Sequence, residues 1–196
     1  MHKKLTIIFL ITSIIVCMNS TKALAYNTYN EHKLINGVGN YGNNNQGYWI
    51  SESASEYTNN INTAINEWVY TTNYWGISTP ISFVNQNSNS GSRIDVYKVS
   101  TINDWWGLTQ MYNTSQVDPW NNDWVWSKIL LDNNFSSLSN SSADNRQKSV
   151  IAHEIGHALG LAHSSLNVLM RPDIAYCSQG IYRAQPNDLE GINHLY

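Results

Sequence analysis

The residues whose types and spacing could do chemistry lie in one stretch, 153–163: His153, Glu154, His157 and His163, with Gly160 ahead of the last. On a helix, His153 and His157 sit one turn apart and project from one face. Their imidazoles can then converge on one Zn²⁺ at about 2.0–2.1 Å from each ring nitrogen. Glu154 follows about 100° further round, which suits holding a water beside the metal better than ligating it. Ile151, Ile155, Ala158 and Leu159 fall on roughly the opposite side, so the spacing predicts a helix with one face on a core and the other offering ligands. His163 would lie about 15 Å along the axis from His153 if that helix continued. The chain must therefore turn back. Gly160 is where it can, because glycine enters the left-handed conformation that ends a helix without a Cβ clash. Three protein ligands and one open, water-filled position describe a catalytic zinc site rather than a structural one.

The elements that must position these groups can be read around them. A helical pattern runs over residues 143–159, following a polar Ser/Asn stretch at 136–145. An earlier helix is expected over 53–69, where Tyr57, Ile61, Ala64, Ile65 and Trp68 recur at helical spacing and Ser53 with Glu56 forms a capping box. Short strands are expected at 81–84, 93–99, 108–112 and 125–131. The last segment, 187–195, has Leu189, Ile192 and Leu195 at helical spacing, with Asn187 as its cap. Residues 26–46 are rich in Asn, Gly and Tyr and read as loose loops. There is no internal repeat, and one α+β domain is the economical reading.

With 196 residues the chain suits one domain. Charged residues are 13% of the sequence, and 11 basic against 14 acidic residues give −3. Without residues 1–25, which hold Lys3, Lys4 and Lys22 and no acid, 8 basic residues face 14 acidic ones. That balance excludes the basic clusters of nucleic-acid or polybasic membrane binding. Residues 1–25 read as a signal peptide: Lys3 and Lys4, an apolar run from Leu5 to Cys17, and Ala23-Leu24-Ala25 as the small-x-small cleavage pattern. The run is short for a spanning helix, and Val16 argues against a lipoprotein site at Cys17. The expected organisation is a signal peptide at 1–25 cleaved after Ala25, a loose segment at 26–47 without a folded pro-domain, and a catalytic domain at 48–196. The mature chain keeps only Cys177, so it has no intrachain disulfide. Export with no stable membrane association, a bacterial source and a monomeric state are expected.

The long zinc motif resembles that of the metzincins, and within them the matrixins, the matrix metalloproteinase type. Leu169-Met170-Arg171-Pro172 is similar to the matrixin Met-turn, the tight turn beneath the zinc, and 187–196 to the matrixin closing helix. Ser164 after the third histidine fits matrixins, where astacins would have Glu, adamalysins Asp and serralysins Pro. The resemblance is strong over 150–196 and upstream rests on the order of elements. It implies a metzincin-like α+β domain, a twisted mixed sheet of about five strands packed with three helices, the active-site helix ending at Gly160. It implies His153, His157 and His163 as zinc ligands, Glu154 as general base, Met170 as an apolar floor, and strand 108–112 as the edge on which an extended substrate lies. The departures are specific. In the mature chain only His32 and His194 remain for a second, structural zinc, and neither lies in the strand region, so that ion is expected to be absent. Calcium is an open expectation at Asp132, Asn133 and Asn134, where a polar turn is the simpler reading. Past Pro172, Asp173 and Ile174 replace a Tyr-containing pocket wall.

The expected function is a secreted zinc metalloendopeptidase that hydrolyses internal peptide bonds of protein substrates through a zinc-activated water with Glu154 as general base. Two alternatives stay open. A zinc amidase would act on cell-wall or modified amides and ignore unfolded protein. A non-catalytic binding protein would use Trp105, Trp106, Trp120, Trp124 and Trp126 as a sugar-binding or adhesive face, and it conflicts with the presence of Glu154. Residues 26–46 are also a candidate arm over the cleft that would restrain activity.

Overall fold

Alternation of inward apolar and outward polar residues builds the sheet that carries the site. The computed structural model describes residues 26–40, 44–100, 105–138, 143–173 and 179–196. Residues 1–25, expected to be a signal peptide, lie outside the described residues, as do Ile174 and Cys177. Strands β2 (Gln46–Ile50), β3 (Phe83–Gln86), β4 (Ile94–Val99), β5 (Gly107–Tyr112), β6 (Gln116–Val117) and β7 (Trp126–Asp132) form one sheet in the order β3-β2-β4-β7-β5-β6. The first four in that order run parallel, and β5 is antiparallel to β7. Ile94 and Val96 of β4 and Ile129 and Leu131 of β7 are fully buried on one face. This is the expected α+β, mixed-sheet architecture. It carries a sixth strand: β6 pairs with β5 only at Met111 and Tyr112.

Helix α1 (Thr58–Val69) buries Ile61, Ala64, Ile65 and Trp68. A 3₁₀ turn, Glu52–Tyr57, precedes it and is capped by Ser51, whose hydroxyl accepts from the Ser53 amide at 3.3 Å. The capping residue is thus two positions ahead of the expected Ser53. A one-turn helix, α2 (Thr72–Trp75), follows. Helix α3 (Ala143–Ala158) carries the first two histidines. The expected amphipathic helix is instead buried all round over residues 149–160, because it lies between α1 and the sheet strands β5 and β7. Trp68 pins it by donating its indole N–H to Ala152 O at 2.9 Å.

A buried helix end must find partners for its last carbonyls. Here Trp124 Nε1 donates to Ala158 O (3.1 Å), the Tyr196 hydroxyl to Leu159 O (3.0 Å), and the Tyr29 amide to Gly160 O (3.3 Å). Two of those donors come from opposite ends of the chain. Residues 26–40, expected to be loose, are consequently tied into the fold. Strand β1 (Asn27–Thr28) pairs antiparallel with β8 (Leu161–Ala162), and Leu34 and Val38 are 1% exposed. The Leu34 amide donates to the Tyr196 hydroxyl at 3.0 Å, and the Ile35 amide to Trp124 O at 2.7 Å.

Helix α4 (Pro186–Leu195) closes the chain. Its cap is Gln185 rather than Asn187: the Gln185 amide donates to Asp188 Oδ2 at 2.8 Å in a capping box, with proline in the first turn. The same carboxylate oxygen accepts from the Leu169 amide at 3.3 Å, joining α4 to the loop beneath the histidines.

Two outcomes follow from this architecture. Leu34→Ala should lower unfolding free energy by about 2–4 kcal/mol in a urea titration, as a core truncation does; a loose arm would leave the midpoint unmoved. Burial raises Asp188 to about 6, against backbone hydrogen bonds from Gln185, Leu169 and Met170 that pull it down. The native carboxyl therefore holds its proton more tightly than the unfolded chain, so its stabilisation is complete below about pH 4 and is lost as pH rises through about 6. The stability of the wild type relative to Asp188→Asn should fall by about 2–3 kcal/mol between about pH 4 and pH 7. A difference independent of pH would contradict the shift.

Candidate metal centre and active site

The three histidines meet because α3 ends where the sequence allows it to. Gly160 has φ +106°, and a Cβ there would lie 2.8 Å from Leu195 Cδ1 and 3.3 Å from His32 O. The chain reverses at that point and enters β8, which delivers His163 back to the face of α3 that carries His153 and His157. The His163 Nε2 atom lies 3.2 Å from His153 Nε2 and 3.2 Å from His157 Nε2. One nitrogen from each ring lies within 4.8 Å of the others, and this is the one group of three or more candidate metal-holding side chains among the described residues.

The outer edges of the rings decide what the inner edges can do. His153 Nδ1–H donates to Leu169 O at 2.7 Å, and His157 Nδ1–H to Leu161 O at 2.8 Å. With the proton placed on Nδ1, each Nε2 presents a lone pair to the common centre. His153 and His157 are nearly buried, and burial lowers both below the ordinary imidazole range, His153 to about 4. Both rings are therefore neutral near pH 7, the form that ligates a metal. Three neutral imidazoles aimed at one point, with His163 exposed on the solvent side, fit a zinc ion with an open position.

Glu154 is 6% exposed and borders the same cleft. Thr109 of β5 meets it twice: the hydroxyl lies 2.7 Å from Glu154 Oε2 and 2.9 Å from Glu154 O. Burial lifts the Glu154 carboxyl to about 7 against these Thr109 contacts. The cleft has a volume of about 500 Å³ and is lined by the three histidines, Glu154, Tyr29, Trp105, Trp106, Gly107, Leu108, Thr109 and Pro172. Met170 lies under the helix: it is 1% exposed, its carbonyl accepts from the Ser164 amide at 2.7 Å, and a Cβ on Gly156 would collide with its sulfur. A glycine at 156 lets that thioether approach the helix backbone closely.

Other sequence-predicted groups lie elsewhere. Asp132 is buried and its carboxylate accepts from the Asn134 amide at 2.7 Å, a local turn contact, and no calcium-type cluster forms with it among the described residues. His32 and His194 each face a surface acid, Asp123 at 3.2 Å and Glu31 at 2.6 Å. The tryptophans do not make one adhesive face: Trp124 is fully buried and Trp126 stacks on Tyr112 at 4.5 Å. Sequence reasoning missed Thr109 and Tyr29 as neighbours of the site. Thr109 lay in a strand read for its backbone alone, and Tyr29 in a segment whose composition hid its long-range partners.

The matrixin family profile matches residues 41–196, most of the chain and all of the site except Tyr29. Human neutrophil collagenase is 42% identical over 59 residues, which is 30% of this chain and 13% of that protein. The metalloendoproteinase 5-MMP of Arabidopsis thaliana is 48% identical over 50 residues, 25% of this chain and 14% of its own length. The matched stretches thus span a small part of either relative. By the extent of the family match, with the histidine cluster in place, the chain belongs to the matrixin family of peptidases.

Proposed function

We propose that the protein is a secreted zinc endopeptidase that cuts polypeptides at internal bonds, with His153, His157 and His163 as metal ligands, Glu154 as general base, and Gly160 and Met170 supporting the site. The observation that carries this reading is the convergence of the three Nε2 atoms beside a buried carboxylate in an open cleft. When bound, zinc would supply Lewis-acid chemistry, lowering the pKa of water and polarising a carbonyl oxygen. Glu154 takes a proton from the attacking water and returns it to the leaving nitrogen. Its place beside the three imidazoles, in a cleft open to substrate, suits both transfers. Thr109 holds the carboxylate from the strand side, which fixes its direction across the cleft.

Substrate is held by the edge of β5. Its inner side pairs with β7 along its whole length, while β6 covers its outer side only at Met111 and Tyr112. Among the described residues no other strand pairs with the outer side from Gly107 to Gln110, which leaves it to an extended chain that adds as a further strand. An open strand edge favours a polypeptide over a small amide, and a carboxylate held next to the ligands favours catalysis over binding alone. Residues 1–25 act as the export signal, and 48–196 form the catalytic domain of a monomer. No helix among the described residues is long and apolar enough to cross a membrane.

The test compares the wild type with Glu154→Ala and His163→Ala on an unfolded protein, with cut sites read by mass spectrometry. The wild type should make internal cuts that a zinc chelator abolishes. Glu154→Ala should keep its zinc and lose about 10²–10⁴-fold in rate, while His163→Ala should lose zinc as well. Equal cutting by wild type and Glu154→Ala would contradict the assignment of the base.

A further inference from the structure

We infer that Tyr29 is a positioning residue of the metal centre, and that through it and Asn27 the N-terminal segment forms part of the zinc site. This rests on the zinc-site reading above and adds residues that lie ahead of the family match at 41–196.

The Tyr29 hydroxyl lies 2.9 Å from His157 Nδ1. Proton bookkeeping fixes the direction of that contact. If His157 presents Nε2 to the metal, Nδ1 carries the only ring proton, and the N–H is shared between Leu161 O at 2.8 Å and the Tyr29 oxygen at 2.9 Å. The ring is thus gripped from both the loop that follows it and the start of the mature chain. Tyr29 is itself locked. Its ring sits edge-on to Trp120 with centroids 5.0 Å apart and to Trp124 at 6.2 Å. Its amide donates to Gly160 O, and the Tyr29–His32 turn that follows places Asn30 and Glu31 at φ +51° and +67°.

The third ligand is held by the same segment. β1 pairs Asn27 with Ala162 and Thr28 with Leu161, and the Asn27 side-chain amide donates to His163 O at 2.7 Å. Residues 27–29 therefore meet the reversal at His157 and again from Gly160 to His163. That stretch sets the distance between two ligands three residues either side of Gly160, so a strap across it fixes the geometry the metal meets.

The experiment measures zinc affinity by equilibrium competition with a chromogenic chelator for wild type, Tyr29→Phe and Asn27→Ala, with the absorption spectrum of the cobalt-substituted protein as a readout of ligand geometry. Tyr29→Phe keeps the ring packing and removes the hydroxyl. It should weaken zinc binding about tenfold and shift the cobalt bands, while the unfolding midpoint of the metal-free protein stays close to wild type. Asn27→Ala, at an exposed position, should weaken zinc binding by less than Tyr29→Phe does. Wild-type affinity and an unchanged cobalt spectrum in both variants would overturn the inference. So would a zinc loss in Tyr29→Phe matched by a loss of metal-free stability, if Asn27→Ala binds zinc normally. A wild type that binds no zinc would overturn the zinc-site reading itself.

Discussion

Two ligands on a helix can share a metal by spacing alone, but the third must be brought back against the helix direction, and the chain has only the residues between His157 and His163 in which to do it. The reversal at Gly160 is the constraint on which the other elements bear. It exposes the last carbonyls of α3 inside the protein, where water cannot satisfy them. Trp124, Tyr196 and Tyr29 do so instead, from a strand-flanking loop and from both ends of the described chain. The requirement to finish one buried helix thus explains why N-terminal and C-terminal residues meet next to the site.

The same logic orders the imidazoles. Asp188 caps α4 and accepts from the Leu169 amide, while the carbonyl of Leu169 accepts from His153 Nδ1. Leu161 O does for His157 what Leu169 O does for His153. Backbone on either side of the site therefore sets which nitrogen of each ring carries a proton, and burial keeps His153 and His157 neutral. A site prepared in this way needs little rearrangement to accept a cation, and the cost of holding it lies in the surrounding fold.

How much of this was legible in the sequence follows the range of the interactions. The helix at 143–159, the turn at Gly160 and the grouping of the histidines rest on local spacing, and the structure places them within a residue or two of expectation. Four strands were likewise found near their observed bounds. Strand β2 was missed because Gln46 and Gly47 follow an Asn-rich run, and its strand character comes from parallel partners on both sides. Residues 26–40 were misread for a related reason. Their polar, glycine-containing composition carries no trace of Trp124, Leu161 or Tyr196, the distant residues that order them. The caps at Ser51 and Gln185 differ from Ser53 and Asn187 because several polar residues stand near each helix start, and tertiary packing chooses among them.

Three imidazoles and one open position are the centre of the proposed metal site. X-ray absorption at the zinc edge, on protein carrying one equivalent of zinc, measures this without reference to activity. Three imidazole nitrogens at about 2.0–2.1 Å and one further light-atom ligand are predicted. A sulfur in the coordination sphere, or fewer than three imidazoles, would contradict it.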